Sequence, residues 1–170
     1  LQDWEKDRLI GLIQDLHKLS AANADFLYAR LLGHDSVQSL APYKNRIKQA
    51  ISPAQPWKQG VQLREGRKAI SDYKKASGDM RGVLSLMVYY IQCGNDLTLE
   101  FGDIDETFYN SLCSMLDQVK KQLIAEKDHP LAAELIPVLE QEFQRIDGQI
   151  GWGYPDEFGE QVADLCERMG

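Results

Sequence analysis

The chain predicts an all-α protein: seven or eight helices in a bundle, or a short stack of antiparallel helix pairs, around a central apolar helix at about residues 81–92. Three observations carry this. Apolar residues recur at helical spacing along most of the chain. No segment shows sustained period-two alternation bounded by turn dipeptides, so strands are not expected. Val83-Leu84-Ser85-Leu86-Met87-Val88-Tyr89-Tyr90-Ile91 is the most apolar stretch, and a helix apolar on every face must be surrounded by other elements.

The elements follow in order. Asp3 to Leu19 reads as an amphipathic helix, with Leu9, Leu12 or Ile13, Leu16 and Leu19 inward and acidic residues early, where the helix dipole favours them. Ser20 and Asn23 mark a stop and a new cap before a second helix from Ala21 to Leu32, ended by Gly33. His34-Asp35-Ser36 supplies the next cap. A third helix is expected from Val37 to Ile51, with Tyr43, Ile47 and Ile51 inward; Pro42 allows it to begin only there. Two prolines and a glycine between Ser52 and Gly60 read as a long ordered loop inside one domain covering residues 1–170.

Leu63 to Ala76 is a basic amphipathic helix, closed at Ser77-Gly78-Asp79, and Arg81 to Gln92 is the central helix. Asn95 to Phe101 either extends it or forms another turn, with Asp96 and Thr98 as candidate caps. Asp103 or Asp105 caps a helix from Thr107 to Ala125, inward along Phe108, Leu112, Met115, Leu116, Val119 and Leu123. The helix from Leu131 to Ile146 contains Pro137, which is expected to kink or divide it. Pro155-Asp156 opens a last helix through Val162, Leu165 and Met169.

An apolar fraction of 44% and a charged fraction of 26% are ordinary for a globular chain, and 170 residues suffice for a sizeable core. A net charge of -7 argues against a dedicated nucleic-acid binder and for a solvated acidic surface. Cys93, Cys113 and Cys166, an odd number at wide separations, read as reduced thiols in a reducing compartment. No apolar run approaches the roughly 20 residues needed to cross a bilayer. The residues carry no signal-peptide pattern; the chain opens at Leu1, so the absence of a targeting segment is a provisional reading. The expected location is the cytoplasm.

Charge is unevenly laid out. Residues 58–81 carry a net +4 through Arg64, Arg67, Lys68, Lys74 and Lys75 among others, whereas residues 134–167 hold nine acidic side chains against Arg145 alone. The basic side either faces solvent, meets the acidic C-terminal third within the fold, or contacts a phosphate, nucleic acid or acidic protein. Glu100, Asp103, Asp105 and Glu106 lie within seven residues but lack the ligand spacing and central glycine of a calcium loop, so capping is preferred to metal binding. His17, His34 and His129 form no paired metal motif. No catalytic, metal or cofactor residue is assigned.

Gly151-Trp152-Gly153-Tyr154 is the most unusual segment. On one reading Trp152 plugs the end of the bundle and the glycines turn the chain around it; on the other, Trp152 and Tyr154 wall a recognition groove.

Lys68-Ala69-Ile70-Ser71-Asp72-Tyr73-Lys74-Lys75, Leu86-Met87-Val88-Tyr89-Tyr90, the run Glu100 to Leu112 and Gly151-Trp152-Gly153-Tyr154, taken in order, resemble a widespread bacterial family of small all-helical proteins of unknown function. The likeness covers most of the chain, including Leu9-Ile10-Gly11-Leu12-Ile13, and departs at Thr107, where the family usually has proline. It implies a bacterial cytoplasmic protein with a helical fold and supplies no activity.

The functional expectation is a non-enzymatic module that binds another protein through a groove near the basic helix and the Gly-Trp-Gly segment. The alternative is nucleic-acid or phosphate-ligand binding through Arg64, Arg67, Lys68, Lys74 and Lys75. A third reading, an enzyme with a pocket around Tyr89, Tyr90, Asp103 and Asp105, requires a desolvated carboxylate there. Oligomeric state is not readable.

Overall fold

The computed structural model describes residues 4–31, 37–127 and 129–169. Among them are nine helices and no strand: α1 (Lys6–Leu19), α2 (Ala21–Leu31), α3 (Val37–Ile51), α4 (Pro56–Gln59), α5 (Leu63–Ser77), α6 (Met80–Phe101), α7 (Glu106–Glu126), α8 (His129–Ile146) and α9 (Tyr154–Met169). The expected cap at residues 34–36 lies outside the described residues.

The fold is organised by α6, which packs against α3 and α5 on one side and α7 and α8 on the other. Val83, Leu84, Leu86, Val88, Tyr90 and Ile91 are all buried, as a strongly apolar helix requires, whereas Ser85, Met87 and Tyr89 are half-buried. Helix α9 closes the second side against α7 and α8, and α2 lies over α5 and α3 on the first. Helix α1 packs on α2 and has no buried residue. Its predicted inward row is only partly covered: Leu9 and Leu12 are half-buried, Ile13, Leu16 and Leu19 exposed.

Small residues set the close approaches. A Cβ on Gly94 of α6 would lie 2.5 and 2.7 Å from the two δ-carbons of Leu112 on α7. A Cβ on Gly66 of α5 would meet Ile51 at 2.7 Å and Tyr90 at 2.8 Å, and one on Gly159 of α9 would meet the Phe143 ring at 2.7 Å. Glycine at these positions lets neighbouring helices approach more closely than any side chain would allow.

Local signals end the helices much as the sequence suggests. Ser20 Oγ accepts from the Asn23 amide at 3.1 Å, Asp79 caps α6 by accepting from the Arg81 amide, and Asp105 caps α7 by accepting from Phe108 N at 2.8 Å. Gly78 ends α5 in the left-handed conformation.

Tertiary context decides two readings the sequence left open, the extent of α6 and the start of α3, and overturns two others, the division at Pro137 and the purely loop-like character of residues 52–60. Helix α6 continues through Asn95 to Phe101, because Asn95 and Asp96 bond across to α8 instead of capping. Helix α3 starts at Val37 and passes through Pro42, and α8 passes unbroken through Pro137. In both, the residue four positions earlier, Gln38 or Ala133, is exposed, so the carbonyl that loses its partner can turn to water. The Pro/Gly loop holds the short helix α4, with proline at its start.

Candidate functional site

At the end of the bundle where α6 finishes, two loops are tied together by a polar network beneath them. The Tyr109 hydroxyl donates to Asp103 Oδ1 at 3.1 Å, accepts from the Ile104 amide at 3.3 Å and lies 2.7 Å from Thr98 Oγ1. Asp103 Oδ1 also accepts from the Gly151 amide at 3.2 Å, which fixes the α8–α9 loop to the α6–α7 loop. Burial, with the Asp103 carboxylate among the neighbours, pushes the Tyr109 phenol above its ordinary pKa.

Tyr154 anchors the far side of the same loop. Its ring stacks on Tyr109 with centroids 5.0 Å apart, and its hydroxyl donates to Asn95 Oδ1 at 2.7 Å. Asn95 in turn donates to Glu142 Oε2 at 2.9 Å, and Arg145 bonds both Glu142 oxygens, at 2.8 and 3.0 Å, and Asp96 at 2.6 Å. Buried polar groups are costly unless paired, and here Asn95, Glu142 and Tyr154 satisfy one another. Desolvation raises the Tyr154 phenol well above its usual pKa.

Between these anchors Trp152 projects outward. It is 62% exposed and adopts φ 65°, next to Gly153 at φ 66°. A bulky residue with positive φ costs on the order of 1–3 kcal/mol and persists only where its surroundings impose it. Here Asp103 holds one flank and Tyr154 the other. The residue that plugs the bundle is Tyr154, and Trp152 stands clear of it. Tyr154 is therefore a core residue and lines no groove.

Two further aromatics surface at this end. Trp57 on α4 is 69% exposed and meets Phe101, the last residue of α6, edge-on with centroids 5.9 Å apart; Phe101 is itself 41% exposed. Glu100, Asp103, Asp105, Glu106, Asp147 and Asp156 are exposed on the loops and helix ends that carry these rings, with Lys58 and Arg64 the exposed cations on the same segments. Sequence reasoning missed Trp57 and Phe101. The available signals were a tryptophan inside a polar, proline-rich loop and a phenylalanine directly before Gly102.

The basic residues of α5 part company. Arg67 turns inward, donating to the Ser111 carbonyl at 2.8 Å and standing over the Tyr90 ring. Arg64, Lys68, Lys74 and Lys75 are exposed and make no ion pair among the described residues. Between residues 58–81 and 134–167 a single ion pair forms among them, Arg81 with Glu134. The basic helix and the acidic C-terminal third thus lie on different sides of α6.

The residues of the enzyme reading are not brought to one pocket. Asp105 is spent on a helix cap and Asp103 on the loop tie, both exposed, while Tyr90 is buried against Ser111 at 2.8 Å and Tyr89 faces Lys44. No group of three or more metal-ligating side chains occurs among the described residues, and no helix among them is long and apolar enough to cross a membrane.

Comparison with family models, with curated proteins and with solved structures finds no match to this chain.

Proposed function

We propose that the protein is a non-enzymatic interaction module whose aromatic end takes a basic segment of another protein. The observation that carries the reading is Trp152, an exposed tryptophan held in an unfavourable backbone conformation by partners on both flanks. Exposed tryptophans are favoured binding anchors, and a ring next to the exposed Asp103 carboxylate, which bonds the preceding Gly151 amide, suits a Lys or Arg side chain through cation–π contact and ion pairing together. Free thiols at Cys93, Cys113 and Cys166 support placing the protein in a reducing compartment such as the bacterial cytoplasm.

The test is titration with short lysine- and arginine-rich peptides carrying one aromatic or leucine, read by tryptophan fluorescence and calorimetry, with acidic peptides as controls. Basic peptides should bind and weaken with salt, and Trp152→Ala should reduce affinity by roughly 30-fold, the loss of about 2 kcal/mol expected of an anchor. Equal binding of acidic and basic peptides, or full binding by Trp152→Ala, would refute the reading.

A second reading is favoured by the unpaired cations on α5. Arg64, Lys68 and Lys75 fall within one helical stripe and would suit a phosphate-bearing ligand or nucleic acid. Salt-sensitive binding of a short duplex, lost in a Lys68→Ala/Lys75→Ala variant, would establish it; no binding at low salt would remove it.

A further inference from the structure

Helices α1 and α2 form a hairpin whose apolar side is left open among the described residues. On α2, Ala29 is buried toward the body of the protein, and Arg30 donates to the Ala76 carbonyl at 3.3 Å, tying the hairpin to the end of α5 remote from Phe101. Ala24, Leu27, Tyr28 and Leu31 lie at the i, i+3, i+4, i+7 spacing of a second, core-type face. Leu27, Tyr28 and Leu31 join Ile13 and His17 of α1 in lining a groove of about 400 Å³, with Gln14 and Lys18 on its polar edge. Helix α1 repeats the pattern: Leu9, Ile13 and Leu16 would be inward in any bundle, and none is buried.

From these observations we infer that the α1–α2 hairpin is a homodimerisation element, covered by the same hairpin of a second copy to make an intermolecular four-helix bundle. Two features select a second copy of this chain as the occupant. The first is area. Ile13, Leu16 and Leu19 share one stripe of α1, and with Tyr28 and Leu31 of α2 they are 42–75% exposed. At about 180–200 Å² per large side chain this leaves roughly 550 Å² open on each copy, or about 1,100 Å² across a pair, just above the roughly 1,000 Å² that a specific interface should clear. The second is charge. Residues 4–31 carry four acidic and four basic side chains, whereas the whole chain carries -7. Two copies repel each other over most of their surface, and the hairpin is the neutral stretch where like can meet like without that cost. A strongly charged partner would find nothing complementary there. Two antiparallel hairpins with apolar seams form a bundle by ordinary helix packing, and the two-fold symmetry is closed.

This goes beyond the proposed peptide-binding role and is independent of it, because it concerns the opposite end of the molecule. The experiment is sedimentation equilibrium on the full chain across the micromolar range, with Leu31→Lys and Ile13→Asp compared against Trp57→Ala. The native chain and Trp57→Ala should have the mass of two 19.3 kDa chains. Leu31→Lys changes a side chain already mostly in water, so it should keep native helicity by circular dichroism while falling to the mass of one chain. Ile13→Asp should do the same. A native chain that is monomeric throughout, including one that instead binds lipid vesicles, overturns the inference, as does a dimer that persists in both hairpin variants.

Discussion

Replacing Gly94 by alanine tests whether the close approach of α6 to α7 is real, because two opposing effects of known size meet at one methyl group. Alanine in a helix interior is favoured over glycine by about 1 kcal/mol, so on propensity alone Gly94→Ala stabilises. The new Cβ, however, would lie 2.5 and 2.7 Å from the δ-carbons of Leu112, a fully buried side chain. Carbon atoms prefer about 3.5–4.0 Å, so something must move by about 1 Å, and both methyls of Leu112 obstruct at once. Overpacking of this kind costs about 1–3 kcal/mol. The clash therefore prevails, and a net destabilisation of about 1–2 kcal/mol is expected, a fall in Tm of about 2–8 °C for a chain of this size. Urea unfolding followed by circular dichroism measures it. Leu112→Ala alone should cost about 2–5 kcal/mol through the cavity it leaves, and the double variant should cost less than the sum of the two, because the alanine methyl enters that cavity. Strict additivity, or a stabilising Gly94→Ala, would refute the packing argument. Gly11 in α1 is the internal control: a Cβ there meets nothing within 4 Å, so Gly11→Ala should protect α1 amides from hydrogen exchange by up to fivefold.

Removing the Glu142 carboxylate should leave Asn95 without its acceptor in the core and Arg145 with Asp96 alone; Glu142→Ala is expected to cost about 2–3 kcal/mol in urea unfolding, below the figure for a fully buried pair because Arg145 reaches solvent. Burial pushes the Cys93 thiol up to about 11 and the Cys113 thiol to about 12, so native protein should release one equivalent of thiol slowly to Ellman's reagent, from half-buried Cys166, and three in denaturant; Cys166→Ser should abolish the native reaction. Hydrogen bonds from Arg168 and Lys120 hold the Asp164 carboxyl below its usual pKa, so its contribution is present above the unfolded value of about 3.9 and is lost as pH falls through the folded one. Asp164→Asn should therefore lower Tm at pH 7 and converge with the native chain in strong acid, and a difference that survives there would refute the ion-pair account.

The parts of the fold legible in the sequence are those decided within a turn or two of chain. Ser20, Asp79 and Asp105 cap because a side-chain oxygen two or three residues from a free amide can reach it whatever else the protein does. Gly78 stops α5 because its backbone tolerates a left-handed turn. The apolar run from Val83 to Ile91 called for neighbours, and α3, α5, α7 and α8 supply them, leaving a half-exposed stripe through Ser85 and Tyr89.

The candidate site was less legible because exposure is a relation between segments. Two glycines beside Trp152 announced an unusual backbone, but only Tyr109, Asp103 and Asn95, brought in from α6, α7 and their loop, decided that Tyr154 turns inward and Trp152 outward. Prolines 42 and 137 looked like boundaries because a missing hydrogen bond is a local fact; whether the orphaned carbonyl faces water is not. The basic row of α5 and the acidic C-terminal third were equally visible as charge, but their separation by α6 was not.

By itself, then, the sequence determined that this chain is helical, which segment lies at its centre and where most helices begin and end, since hydrogen bonding and periodicity act at short range along the chain. Only the tertiary structure decided which apolar faces are covered and which, on α1, α2 and around Trp152, remain open. A face's composition states what burial would gain, and the presence of a neighbour to bury it depends on residues far away in sequence.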